Sequence, residues 1–321
     1  MNKYTFGQRL LHRVALSSRI MRQTCFEIEK SSFLQESASP AGDPVFVTGL
    51  ARAGTTVLLE AIYSSNEFAS MTYSDMPFVM APNLWGKVKK GIDVSAPKTE
   101  RAHRDGIMIN LDSPEAFEEV FWQSFSEQEG FHQFENYVRL VLYRYQKCRY
   151  LSKNNQNVHR ISMLQELFPC AKVLIVFKDP VNHAMSLLNQ HLQFSKIQGQ
   201  DSFVKDYMDL IKHSEFGLSY TPIMSENLKY RDPSYIEHWL EQWYLLYDNL
   251  ISLHGGSDNV VFVNGGLLHG DNSWNKICSF LYISDTSYNF VDMRRSINVS
   301  SNDAIRNNCL ALLDKLNKIA I

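Results

Sequence analysis

Hydrophobic and polar positions along the chain fall into two alternating periods. Short apolar runs occur at Pro44-Val45-Phe46-Val47-Thr48, at Ala171-Lys172-Val173-Leu174-Ile175-Val176-Phe177 and at Asn259-Val260-Val261-Phe262-Val263. Arg149-Tyr150-Leu151-Ser152-Lys153 is a shorter candidate of the same kind. Such runs, rich in Val, Ile and Phe and bounded by Pro or Gly, predict buried strands. Between them apolar residues return every three or four positions, over 114–125, 158–168, 181–194 and 234–253, which predicts helices. Strands alternating with helices predict an α/β fold, a parallel sheet flanked by helices on both faces with ligands at the carboxyl ends of the strands.

The pattern divides the chain without splitting it into separate domains. Residues 1–35 predict an N-terminal amphipathic helix, 45–190 a ligand-binding core, and 191–321 a helical C-terminal part that completes the sheet and an acceptor site. The stretch 37–44, rich in Ser, Ala, Pro and Gly, links the first two. Residues 71–149 are too many for a simple crossover and predict helical insertions over the sheet. A second irregular region, 193–233, predicts a lid. In the N-terminal part Lys3, Arg9, Arg13, Arg19 and Arg22 interleave with Leu10, Leu11, Val14, Ala15 and Ile20, and no acid precedes Glu27. Such a helix could rest on an anionic membrane surface. Its apolar stripe lacks bulky aromatic anchors, so packing on its own domain with a solvated basic side is the expectation.

Composition narrows the partners. The 321 residues are 45% hydrophobic, enough for a substantial core, and carry a net charge of −2. That balance, with no basic-aromatic stripe, argues against nucleic acid. Five cysteines are scattered without a CxxC pair, which predicts reduced thiols and neither a disulfide framework nor a zinc site. No apolar run approaches the ~20 residues of a membrane span, and the N-terminus lacks a signal-peptide pattern. A cytoplasmic protein is expected.

The candidate chemistry begins after the first strand. Gly49-Leu50-Ala51-Arg52-Ala53-Gly54-Thr55-Thr56 leads into the helical run Val57-Leu58-Leu59-Glu60-Ala61-Ile62. Strand, glycine-bounded turn and helix aim backbone N–H groups and a positive dipole end at a phosphate. The spacing is that of a nucleotide P-loop, except that Thr55 replaces the Walker lysine and a cation stands earlier, as Arg52. Lys178-Asp179-Pro180 follows another strand and is itself followed by Ser186. Asp179 is placed as an N-cap and Pro180 at the first helical position. Taken alone, this second element is an ordinary strand-to-helix turn.

Together the two elements resemble the sulfotransferase family, which uses 3′-phosphoadenosine 5′-phosphosulfate as sulfo donor. Leu151-Ser152-Lys153-Asn154, His159-Arg160-Ile161 and Leu164-Gln165-Glu166-Leu167-Phe168-Pro169-Cys170-Ala171-Lys172 add to the likeness. Tyr73-Ser74-Asp75-Met76-Pro77-Phe78, with Ala81-Pro82-Asn83-Leu84-Trp85, is similar to a bacterial branch acting on polysaccharides or other cell-surface glycans. The resemblance implies a P-loop nucleotide-hydrolase-like three-layer fold. It implies that Arg52, Ala53, Gly54, Thr55 and Thr56 hold the 5′-phosphosulfate, and that Lys178 and Ser186 bind the 3′-phosphate. Lys178 stands where the family usually has Arg, so it lacks the bidentate fork.

No metal is needed for such in-line transfer, and none is suggested by spacing; cations and backbone donors neutralise the developing charge. Lys153 is placed to contact the sulfo group or the leaving oxygen. For the base that readies the acceptor hydroxyl, Asp75 and His103 (the latter with Asp105) stand as equal candidates. The histidine of the cytosolic branch's K-x-H triplet is absent from Lys153-Asn154-Asn155. Trp239, Trp243, Tyr244 and Tyr247 lie at helical spacing, a pattern expected of core packing before sugar stacking. Asn264-Gly265-Gly266-Leu267 departs from the Y-E-x-L of relatives, and Arg294-Arg295 could add to phosphate binding. A P-loop kinase-like enzyme and a degenerate nucleotide-binding module are the competing readings.

Overall fold

The computed structural model describes residues 6–89, 99–100, 108–211, 213–284, 287–290 and 303–321. Two helices, α1 (Phe6–Leu16) and α2 (Arg19–Phe33), replace the single predicted N-terminal helix. The chain breaks between them at Ser18, whose extended backbone and hydroxyl cap α2. The strand β1 (Val45–Thr48), the helix α3 (Thr55–Tyr63) and the two-residue strand β2 (Phe68–Ala69) follow. The insertion holds α4 (Pro82–Val88), the short antiparallel pair β3 (Thr99–Glu100) and β4 (Met108–Ile109), α5 (Glu118–Trp122) and α6 (Glu127–Tyr145). A capping box at Ser126 and Glu129 starts α6 and separates it from α5.

The core then continues through β5 (Arg149–Lys153), α7 (Ile161–Leu167), β6 (Lys172–Phe177) and α8 (Pro180–Gln200). The elements α9 (Ser202–Leu210), α10 (Ile236–His254), β7 (Val260–Asn264), α11 (Asp271–Leu281) and α12 (Asp303–Ile319) complete the chain. The five-stranded sheet runs β2-β5-β1-β6-β7 with every pair parallel. All strands therefore end on one edge. Along β6, Val173, Ile175 and Phe177 face a large cluster, while Leu174 and Val176 face a smaller one. The period of two puts α6, α8, α10 and α12 on the first face, and α3 and α11 on the second. The parallel, helix-flanked sheet predicted from the sequence is present.

The N-terminal helices lie on the insertion. Arg22 is buried and donates to the Leu16 carbonyl at 2.5 Å, to Ser124 Oγ at 2.8 Å and to the Gln123 carbonyl at 3.2 Å. Phe26 stacks edge-on against Phe121 and Phe125. Among the described residues no helix is long and apolar enough to cross a membrane.

Candidate active site

The loop between β1 and α3 is shaped by two close backbone approaches. Gly49 takes φ 134°, and a Cβ there would lie 2.3 Å from the Val176 carbonyl oxygen. Gly265 follows β7, and its Cβ would lie 2.2 Å from the Ala53 oxygen. Only glycine lets these strand ends press against the loop. Gly54 caps α3 at φ 108°, leaving the first N–H groups of the helix without a side-chain partner. Arg52 at the loop's crest also has a positive φ, 70°.

Two side chains from other elements hold this loop. The Leu50 N–H donates to the Tyr247 hydroxyl at 3.3 Å, and that hydroxyl donates to the Val176 carbonyl at 2.6 Å. His183 in α8 is fully buried, and its Nε2–H donates to the Ala51 carbonyl at 2.8 Å. Burial first, then Lys178 and Arg52, hold the His183 imidazole well below its ordinary range, so it is neutral. Neither Tyr247 nor His183 stood out as a loop support in the sequence. The helical spacing of Trp239, Trp243 and Tyr247 marked only core packing, which they do provide at 3%, 0% and 0% exposure.

The residues expected to hold the donor meet at this edge. Arg52 Nε donates to Ser186 Oγ at 3.3 Å across the gap between loop and α8. Lys178, at the end of β6, is half-buried with no hydrogen-bond partner among the described residues. Burial and the Arg52 charge push its ammonium down to about 8, against the pull of Asp179. Asp179 caps α8 by accepting from the Asn182 N–H at 2.8 Å. Thr55 and Thr56 occupy the first turn of α3 and are 3% and 7% exposed. Lys153 is level with Val47 in the ladder, one strand away, and is 9% exposed.

Asp75 is held in a network of its own. Its carboxylate has no exposed surface, accepts from the Thr72 N–H at 2.9 Å and from the Tyr145 hydroxyl, and faces Arg144 and Lys89 at 3.7 and 3.9 Å. Burial pushes the Asp75 carboxyl up, while those hydrogen bonds and cations pull it down. The arrangement binds a turn to α4 and α6 and gives an acceptor no open path to the carboxylate. His103 with Asp105, and Arg294 with Arg295, lie outside the described residues.

Glu119 and Arg160 form a second framework beside the end of β5. Arg160 donates to both Glu119 oxygens, at 2.8 and 3.1 Å, and Asn154 Nδ2 donates to Oε2 at 2.8 Å. This fork fixes the segment after Lys153 against α5.

The model of a protein family described as "Sulfotransferase family" matches residues 44–220, more than half of the chain. The chain belongs to the sulfotransferase family. It is accordingly a transferase that moves sulfo groups. Among solved structures, this sulfotransferase is similar to sulfotransferase STF9 from Mycobacterium avium, at 11% identity and a TM-score of 0.52, over 98% of this chain and 79% of that one. It is also similar to sulfotransferase STF1 from Mycobacterium tuberculosis, at 12% identity and a TM-score of 0.50, over 95% and 81%. At such identities the likeness is one of fold. No curated protein matches the sequence.

Proposed function

We propose that this sulfotransferase takes its sulfo group from 3′-phosphoadenosine 5′-phosphosulfate and delivers it to a hydroxyl of a carbohydrate or cell-surface glycan. The observation that carries the donor reading is the Arg52 to Ser186 contact of 3.3 Å. It joins the loop after β1 to the helix after β6, so a cation follows each of two neighbouring strand ends on the same edge of the sheet. Backbone N–H groups at Ala53, Gly54, Thr55 and Thr56, together with the Thr55 and Thr56 hydroxyls, receive the 5′-phosphosulfate. Arg52 spans the sulfo group and the phosphate it leaves, and Lys153 lies beside the leaving oxygen. Lys178 and Ser186 take the 3′-phosphate, which ATP does not have. The transition state spreads charge over the sulfo oxygens and the leaving phosphate, and fixed cations and N–H donors stabilise it where it forms. The glycan side of the reading comes from the Tyr73–Phe78 and Ala81–Trp85 segments, which line the insertion beyond β2.

Calorimetry with adenosine 3′,5′-bisphosphate against ATP tests the donor. Tighter binding of the bisphosphate is expected, and a preference for ATP would sink the reading. Incubation with radiolabelled donor and a panel of cell-surface glycans then tests the acceptor class. Tight bisphosphate binding without transfer to any member of that panel would favour a degenerate nucleotide-binding module.

A further inference from the structure

The segment after α9 is fastened to the core. Phe216 is buried, with ring centroids 6.4 Å from Phe194 and 6.2 Å from Trp239. Gly217 turns the chain at φ 85°, and its N–H faces His191 Nδ1 at 3.4 Å. The Leu218 N–H donates to Gln198 Oε1 at 2.6 Å, and the Thr221 N–H closes the turn onto the Ser214 carbonyl at 2.9 Å. Glu215 stands at the head of this turn and is half-buried. Asn155 Nδ2 donates to Glu215 Oε1 at 3.0 Å.

That hydrogen bond ties the carboxylate to the segment that follows β5, beside the end of β1. Thr48 Oγ1, one residue before Gly49, donates to the Asn154 carbonyl at 2.8 Å and lies 3.4 Å from the Asn155 carbonyl. Asn155 is 4% exposed, and its Oδ1 is buried with no hydrogen-bond partner among the described residues. A carboxylate oriented by one amide, an acceptor atom beside it, and a rigid turn behind it make a preorganised polar corner.

Four other carboxylates among the described residues are engaged within the fold. Asp75 has no exposed surface. Glu119 is forked by Arg160 and bonded by Asn154. Glu118 accepts from Tyr150, Trp122 and Asn157. Glu115 accepts from the Tyr73 hydroxyl and from the Ala116 N–H at 2.7 Å. Glu215 makes a single hydrogen bond among the described residues, which leaves a carboxylate oxygen available.

We infer that Glu215, oriented by Asn155, is the general base that takes the proton from the acceptor hydroxyl, an inference that rests on the sulfo-transfer reading above. The acceptor O–H bond breaks toward Glu215 while the acceptor oxygen forms a new bond to sulfur. The bond from sulfur to the bridging oxygen of the 5′-phosphate breaks, and its electron pair stays on the phosphate. The products are a sulfate ester and adenosine 3′,5′-bisphosphate, and Glu215 returns its proton to water. Glu215 is the catalytic residue and Asn155 a positioning residue.

The test compares Glu215→Gln and Asn155→Ala with the unaltered protein on two probe acceptors, a soluble glucan and 4-nitrophenol, and measures bisphosphate affinity for each. A general base matters more for a sugar hydroxyl than for an acidic phenol. Glu215→Gln is expected to lower kcat on the glucan about 100-fold and on the phenol about tenfold or less, with bisphosphate affinity held within about twofold. Asn155→Ala should fall between the two, with the larger loss again on the glucan. Glucan turnover within about threefold of normal in Glu215→Gln overturns the inference. An equal loss on both acceptors, or a loss matched by weaker nucleotide binding, overturns it too, since that is what a structural role gives. If the unaltered protein binds the bisphosphate yet sulfates neither probe, the sulfo-transfer reading fails first and the assignment of Glu215 fails with it.

Discussion

The Lys178 ammonium, pushed down to about 8 by burial and Arg52, is mostly charged at neutral pH and loses its proton just above it. A lowered lysine keeps its charge below its pKa and loses it above. In the proposed donor site the 3′-phosphate meets that charge, so bisphosphate affinity is expected to fall about tenfold between pH 7 and pH 9, as the charged fraction does. Binding near pH 8 should also take up protons, visible as a dependence of calorimetric heat on buffer. Lys178→Arg should flatten the pH dependence, because guanidinium stays charged. Arg52→Ala should lower turnover by two orders of magnitude or more (roughly 3 kcal/mol), in the range found for removing one transition-state donor. Arg52, Lys178 and Ser186 were legible because each follows a strand or glycine turn in a local pattern. Glu215 was not legible, because no local pattern marks it. It reaches the site only through Asn155, a partner 60 positions away along the chain.

Between elements, backbone contacts decide the loop's shape. Gly265→Ala would drive a methyl group into the Ala53 carbonyl, 2.2 Å away, and neither backbone can yield without moving the loop. A destabilisation of about 1–3 kcal/mol is expected in denaturant melts, with weaker bisphosphate binding. Tyr247→Phe removes the hydroxyl shared by Leu50 and Val176 and should cost about 1–2 kcal/mol, with a similar drift in nucleotide affinity. The strands β1, β6 and β7 showed in the sequence because burial on two faces demands runs rich in Val, Ile and Phe, whereas β5, with Tyr150 and Leu151 between polar residues, showed more faintly. At two residues, β2 is too short to show a period. The helix read over 158–168 begins later, at Ile161, because Asn154 caps a 3-10 turn over Asn155–His159 first. The break between α1 and α2 lay within one continuous basic stripe, where only the Ser17-Ser18 pair marks it.

At the scale of the molecule, Arg22 bolts the N-terminal helices to the insertion. Arg22→Ala leaves the Leu16 and Gln123 carbonyls and Ser124 short of a donor, and about 2–3 kcal/mol of stability should be lost. Bisphosphate affinity should stay unchanged, since none of the three partners lies at the strand ends. The order β2-β5-β1-β6-β7 has a further consequence, felt before the protein is finished. Val45 leaves the ribosome long before its neighbours Leu151 and Lys172, and the Gly265 that closes the loop comes later still. At the usual ~5–20 residues per second, the central strand waits roughly 5–20 seconds for its first partner. Through that interval it is a bare apolar edge, the kind of unpaired strand that aggregates unless it is shielded.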